Sequence, residues 1–192
     1  MKKIVVASNN KGKIKEIKEI FKEFDVISLK EVEEKLNKKI ELIEDKETFK
    51  ENAIEKVKCL VNQIDEDVLC LADDSGLSID ALNGFPGVYT ARWMDADDHT
   101  KNLELIKKLD GISNRQAKYT TAIAIADKKI INVIESHLEG EITKVPRGDN
   151  GFGFDEILEI ESGKTLAELS MEEKNKISSR KKALEEIKKL IM

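Results

Sequence analysis

Lys3-Ile4-Val5-Val6-Ala7-Ser8-Asn9-Asn10-Lys11-Gly12-Lys13 is an unalternating apolar run that stops abruptly in a polar turn. Apolar residues without period-two alternation suit a strand covered on both faces, the kind found in parallel or mixed sheets flanked by helices. After the turn the period changes. Ile14, Ile17, Ile20, Phe21 and Phe24 fall on one face of a helix read from Gly12 to Phe24, with lysine and glutamate on the others. The run is too short for the apolar segment of a signal peptide, so a buried first strand is expected. Strand, loop and amphipathic helix in that order point to an α/β class.

The same alternation continues downstream. Val26 to Leu29 and Ile40 to Ile43 read as strands, and Thr48-Phe49-Lys50-Glu51 is a capping box opening a helix to about Ile64. Phe49, Ala53, Val57 and Val61 form its inner face. Val68 to Ala72 is a further buried strand, so Asp73-Asp74-Ser75-Gly76 is expected at a strand end. Leu77 to Ala81 alternates, Asn83 to Gly87 is turn-rich, and a helix follows from about His99 to Leu109. Ala117 to Ala126 and Lys129 to Ile142 flank Asp127-Lys128 as a long antiparallel hairpin, and Arg147 to Gly151 is a loop. A second capping box, Ser170-Met171-Glu172-Glu173, opens one final helix with Ile177, Leu184, Ile187 and Ile191 inward. The expected architecture is α/β, with a mixed, twisted sheet and a cleft between two lobes. No repeat or linker interrupts residues 1–192, which are read as one domain.

Composition narrows the function. The 192 residues are 40% apolar and 37% charged, enough for a core beneath a densely ionic surface. A net charge of −5 has the wrong sign for a protein held on a nucleic-acid backbone, so any phosphate must meet a local pocket. No apolar stretch approaches the roughly 18 residues of a membrane span. Cys59, Cys70, His99 and His137 are too scattered for a zinc site or a disulfide framework, which suggests a reduced, cytoplasmic protein. Neither histidine has a partner nearby in sequence.

Five segments carry candidate chemistry. Ser8 to Lys13 lies where a strand hands over to a helix N-terminus, where free amides and the helix dipole attract phosphate and Lys13 adds a full charge. It lacks the Walker glycine spacing, and an ordinary polar turn fits equally short evidence. Asp73 and Asp74 are adjacent carboxylates beside a buried strand, so only one of them should face a given cleft. Glu44 and Glu47 could converge with an aspartate on a hard cation such as Mg²⁺, or lie in a solvated acidic turn. Gly151-Phe152-Gly153-Phe154-Asp155 suits a loop on which a planar base stacks, or a bend whose phenylalanines belong to the core. Lys174, Ser179 and Arg180 lie near one flank of the expected final helix.

Together these segments resemble the inosine triphosphate pyrophosphatase family. Ser8-x-Asn10-x-x-Lys13, Glu47-Thr48-Phe49-x-Glu51-Asn52-Ala53, Ala72-Asp73-Asp74-Ser75-Gly76-Leu77, Gly84-x-Pro86-Gly87-Val88-Tyr89-x-Ala91-Arg92, Gly151 to Asp155 and Leu169-Ser170-x-Glu172-x-Lys174-Asn175-x-Ile177-Ser178-x-Arg180 occur in the family's order. The resemblance implies a long mixed sheet with helices on both sides, two lobes, a homodimer, Mg²⁺ dependence, and conversion of ITP, dITP or XTP to monophosphate and pyrophosphate. It matches Asp74 to the essential aspartate and Glu44 to a metal-binding glutamate. It places Ser8, Asn9, Asn10, Lys11, Gly12, Lys13 and Ser75 on the triphosphate side. Phe152, Gly153, Phe154, Asp155, Lys174, Ser179 and Arg180 fall on the base side. Two positions depart from the family's pattern, Ser179 for the usual histidine and Glu156 for the usual proline. In this reading Lys13 stabilises departing pyrophosphate, Asp74 orients or deprotonates water, and donors including Arg180 read the purine O6. A septum-associated type of nucleotide pyrophosphatase and a non-cleaving nucleotide sensor are the alternatives.

Overall fold

The computed structural model describes residues 2–64 and 68–192. Its strands are β1 (Lys3–Val6), β2 (Asp25–Ser28), β3 (Leu69–Ile79), β4 (Gln116–Ala126), β5 (Ile131–Ile142) and β6 (Leu158–Glu159). Its helices are α1 (Lys11–Ile20), α2 (Leu29–Leu36), α3 (Phe49–Gln63), α4 (Asp98–Lys108), α5 (Met171–Ile177) and α6 (Ser179–Ile191). The strands make one mixed sheet in the order β2-β1-β3-β4-β5-β6. β1 is parallel to both neighbours, with Val5 opposite Ile27 on one side and Cys70 on the other, and β5 pairs antiparallel with β6. Asp127 N–H donates to Ile130 C=O at 3.1 Å and Ile142 N–H to Arg115 C=O at 2.9 Å, which keeps β4 and β5 in the expected hairpin register.

The chain divides into two compact units. The first comprises Met1–Asp74, Thr121–Ser136 and Arg180–Met192, the second Ser75–Thr120 and His137–Ser179. Ile4, Val6, Ile17, Phe21, Leu71, Ile123, Ile125, Leu184 and Ile187 form the core of the first. Leu77, Ile79, Leu105, Leu109, Ile142, Phe154, Ile157, Leu158 and Leu166 form that of the second.

Several expectations need correction. Residues 40–43 are not a strand: Ile40 N–H donates to the Glu33 carboxylate and Glu41 N–H to the Gln63 amide oxygen, so side chains satisfy backbone that a ladder would have paired. The strand expected at Val26 to Leu29 ends at Ser28, because Ser28-Leu29-Lys30-Glu31 is a capping box that opens α2. The first helix stops at Ile20, where Phe21 caps it, although Phe21 and Phe24 still stack edge to face at 5.8 Å. The final helix is two: Ser178, with ψ at 122°, leaves helical backbone between α5 and α6, so Lys174 and Arg180 do not share one helix face. Most consequentially, Asp73 and Asp74 lie in the middle of the eleven-residue β3 and not at its end.

Candidate active site

The turn after β1 is built by its own side chains. Asn10 is the N-cap of α1, its Oδ1 accepting from Lys13 N–H at 3.1 Å, and Ser8 Oγ accepts from Asn10 N–H at 3.1 Å. Asn9 Oδ1 accepts from Lys30 N–H at 2.9 Å in α2. These oxygens are therefore committed to shaping the turn. Lys11 and Gly12 form the first turn of α1, and the Lys13 ammonium is ion-paired with Asp73.

A carboxylate pair in mid-strand requires compensation, and alternation along β3 divides it between two networks. Asp73 is fully buried between two cations: beside the Lys13 bond, Arg180 Nε reaches its Oδ2 at 2.7 Å. Arg180, also buried, donates from Nη1 to Glu16 Oε2 at 2.8 Å. Burial by itself would raise the Asp73 pKa, but the Arg180 and Lys13 charges and their hydrogen bonds hold it well below the usual carboxylate range.

Asp74 faces α3. Lys56 Nζ donates to Asp74 Oδ1 at 2.8 Å, to the Asp73 carbonyl at 2.8 Å and to Glu44 Oε1 at 2.9 Å, which uses all three ammonium hydrogens. The other oxygen, Asp74 Oδ2, is buried without a hydrogen-bond partner. Burial raises the Asp74 pKa above its ordinary value, the Glu44 charge adds to the rise, and Lys56 only partly opposes both. Lys56 stays an ammonium: burial lowers its affinity for a proton, and the Asp74 and Glu44 charges more than offset that.

Lys56 is the residue the sequence reading overlooked. It lies seven residues after Phe49 and three after Ala53, on the apolar face of α3, and a lysine in that register is the signal that marks it. Among the described residues no three His, Cys, Asp or Glu side chains gather as a metal cluster, and Glu47 is exposed. Two carboxylates bridged by a lysine, one with an orphaned oxygen and a pKa raised by burial, nonetheless suit a hard cation. A divalent ion held by Glu44 and Asp74 would supply the partner that Asp74 Oδ2 lacks.

The second unit carries the aromatic loop. Phe154 is buried in the core, whereas Phe152 is partly exposed, so the two phenylalanines divide between the two readings given above. Asp155 Oδ2 accepts from Phe152 N–H at 2.8 Å and from Lys174 Nζ at 2.6 Å. Lys174 also sits 4.9 Å from the centroid of the Phe152 ring. Gly151 is required here: φ is +85°, and a Cβ would lie 2.0 Å from Asp155 Oδ2. Ser75 Oγ accepts from the Tyr119 hydroxyl at 3.3 Å, and Ser179 is buried at the start of α6. His99 does have a partner, Glu156, at 2.9 Å across 57 residues of sequence.

The structure thus groups Lys13, Asp73, Arg180, Glu44, Lys56 and Asp74 in the first unit and Phe152, Asp155 and Lys174 in the second. Arg180, assigned by resemblance to the base side, is engaged by Asp73 and Glu16.

Comparison with known proteins agrees along the whole chain. The dITP/XTP pyrophosphatase of Bacillus subtilis (strain 168) is 41% identical, the alignment covering 100% of this chain and 98% of the relative. That of Thermoanaerobacter sp. (strain X514) is 40% identical, covering 99% and 96%. The solved Ham1 protein of Staphylococcus aureus superposes with a TM-score of 0.87 at 35% identity over 99% of this chain and 98% of its own. A HAM1 protein from Coxiella burnetii gives 0.86 at 36%, over 100% and 98%. With the Ham1 family profile matching residues 4–190 as well, the chain belongs to the Ham1 family.

Proposed function

We propose that the chain hydrolyses deaminated purine nucleoside triphosphates, ITP, dITP or XTP, at the α–β phosphoanhydride to give the monophosphate and pyrophosphate. The observation that carries this reading is the division of labour on β3: Asp73 is neutralised by Lys13 and Arg180, while Asp74 keeps an unpartnered buried oxygen beside Lys56 and Glu44. Membership of a family whose relatives are named dITP/XTP pyrophosphatase supports it.

Attack on an α-phosphoryl group needs an oriented water, charge neutralisation and alignment more than covalent catalysis. Asp74 orients the attacking water or takes its proton. Lys56 holds the Asp74 carboxylate and the neighbouring β3 carbonyl in one orientation. Mg²⁺ held by Glu44 and Asp74 would offset charge on the triphosphate. Lys13, partly exposed and reaching from the first turn of α1, stabilises the departing pyrophosphate, with Asp73 keeping its ammonium aimed.

The Phe152 face takes the purine, and Lys174 and Asp155 fix the loop that presents it. Selectivity for a 6-oxo purine follows if loop donors face O6, because an adenine amino group would leave them unpaired. In this account Arg180 supports Asp73 and does not read the base. Residues 1–192 are proposed to be a single pyrophosphatase domain, and a homodimer in the cytoplasm is proposed on family membership. A panel of dITP, XTP and dATP with Mg²⁺ tests the reading: kcat/KM should favour dITP and XTP over dATP by at least about 100-fold. Equal rates on all three, or binding without turnover, would overturn it.

A further inference from the structure

The loop between Phe152 and Asp155 is held from outside itself. Gly153 sits at φ +64°, and a Cβ there would meet nothing within 4 Å, so the glycine serves a left-handed turn and not a close approach. Its peptide groups are both taken by α4. Asp98 Oδ2 accepts from Gly153 N–H at 2.9 Å, and Asn102 Nδ2 donates to Gly153 C=O at 2.8 Å. Asp98 and Asn102 are four residues apart and so lie on one face of the helix. Asn102 Nδ2 also donates to Glu156 Oε1 at 2.8 Å, and Glu156 is paired with His99 of the same helical turn. Asn102 is fully buried with its Oδ1 unpaired. An amide kept in that setting at the cost of one unsatisfied atom marks its two donated bonds as the reason for an amide there.

We propose that Asp98 and Asn102 are positioning residues for purine binding: the first turns of α4 clamp the N–H and the C=O of Gly153 and so set the angle at which the Phe152 ring is presented. Phe154, on the far side of Gly153, is anchored in the core, so rotation at Gly153 would swing Phe152 while Phe154 stays fixed. Neither clamp residue needs to touch the nucleotide. The inference rests on the proposed function, in which Phe152 faces the base and Asp155 fixes its loop.

The test compares Asp98→Ala, which removes the acceptor, with Asp98→Asn, which retains an acceptor oxygen. Asp98 is exposed, so neither variant threatens folding as Asn102→Leu could. In the nucleotide-free protein, hydrogen exchange at Gly153 N–H should quicken by about tenfold in Asp98→Ala and stay near the parent rate in Asp98→Asn. KM for dITP should rise by about tenfold in Asp98→Ala with kcat within about twofold, and Asp98→Asn should recover it. Unchanged exchange in Asp98→Ala overturns the clamp, and faster exchange with unchanged KM overturns its part in binding the purine. A parent protein that turns over no purine triphosphate would instead refute the proposed function, a result distinct from an active parent that Asp98→Ala leaves unaltered.

Discussion

Asp73→Asn and Asp74→Asn change neighbouring residues of one strand by the same isosteric substitution, yet they should fail in opposite ways. Asp73 is buried between Lys13 and Arg180, and its amide replacement would take the Asp73 charge away from an arginine whose side chain is 4% exposed, while its bond to Glu16 stays. Removing one partner from a buried pair costs about 3–5 kcal/mol, because the surviving charge stays out of water. For a chain of this length that is a fall of roughly 6–20 °C in Tm. Asp74→Asn removes a carboxylate whose charged form burial already disfavours, and Lys56 keeps Glu44 and the Asp73 carbonyl, so its stability change should stay within about 1 kcal/mol.

The sign can be checked with pH. The folded-state pKa of Asp73 is depressed, so its contribution is fully present above the ordinary carboxylate pKa of about 4 and is lost as pH falls below it. The Tm gap between the parent and Asp73→Asn should therefore be widest near neutrality and shrink progressively below about pH 4. Circular-dichroism melts from neutral to acid pH, paired with initial rates on dITP, supply both readings. Asp74→Asn should melt near the parent while losing roughly three orders of magnitude in kcat. An Asp73→Asn protein melting within about 2 °C of the parent near neutrality would refute the buried ion-pair argument.

Other substitutions separate the remaining parts. Lys13→Ala should lower kcat/KM for dITP and dATP by the same factor, roughly 100-fold, since the phosphate chain is common to both; a changed ratio would place Lys13 at the base. Arg180→Ala should destabilise by about 3–5 kcal/mol and leave the dITP to dATP ratio unaltered, because its guanidinium is spent on Asp73 and Glu16; a narrowed ratio would return it to the base side. Gly151→Ala, whose Cβ would strike the Asp155 carboxylate, should raise KM for dITP by about tenfold with a smaller change in kcat, measured by steady-state kinetics.

Much of the fold could be read from local pattern. The unalternating run at β1, the face of α1 and the Thr48 cap of α3 each announce themselves within about fifteen residues, where periodicity and capping act, and the β4–β5 hairpin is marked by the two runs that flank Asp127-Lys128. The errors arose where a distant partner decided the outcome. Residues 40–43 look like a strand until Glu33 and Gln63 supply the bonds a neighbouring strand would have made. Asp73-Asp74-Ser75-Gly76 looks like a strand end because two carboxylates in mid-strand are untenable without Lys13, Arg180 and Lys56, which come from three different helices. The candidate site divides in the same way. Its acids and the aromatic loop are visible as motifs, whereas the engagement of Arg180 by Asp73, across 107 residues, depends on tertiary structure alone. Lys56 was within reach, since a charged residue on an apolar helix face needs a buried counter-ion, but its two carboxylate partners had to be seen in space.

The central claim is attack by water on the α-phosphorus of a deaminated purine triphosphate. It is tested most directly by phosphorus NMR of dITP turned over with Mg²⁺ in water labelled with heavy oxygen. The account predicts dIMP and pyrophosphate as the first products, with the label on the dIMP phosphate and none in pyrophosphate. Orthophosphate and dIDP as first products, or label in pyrophosphate, would contradict it.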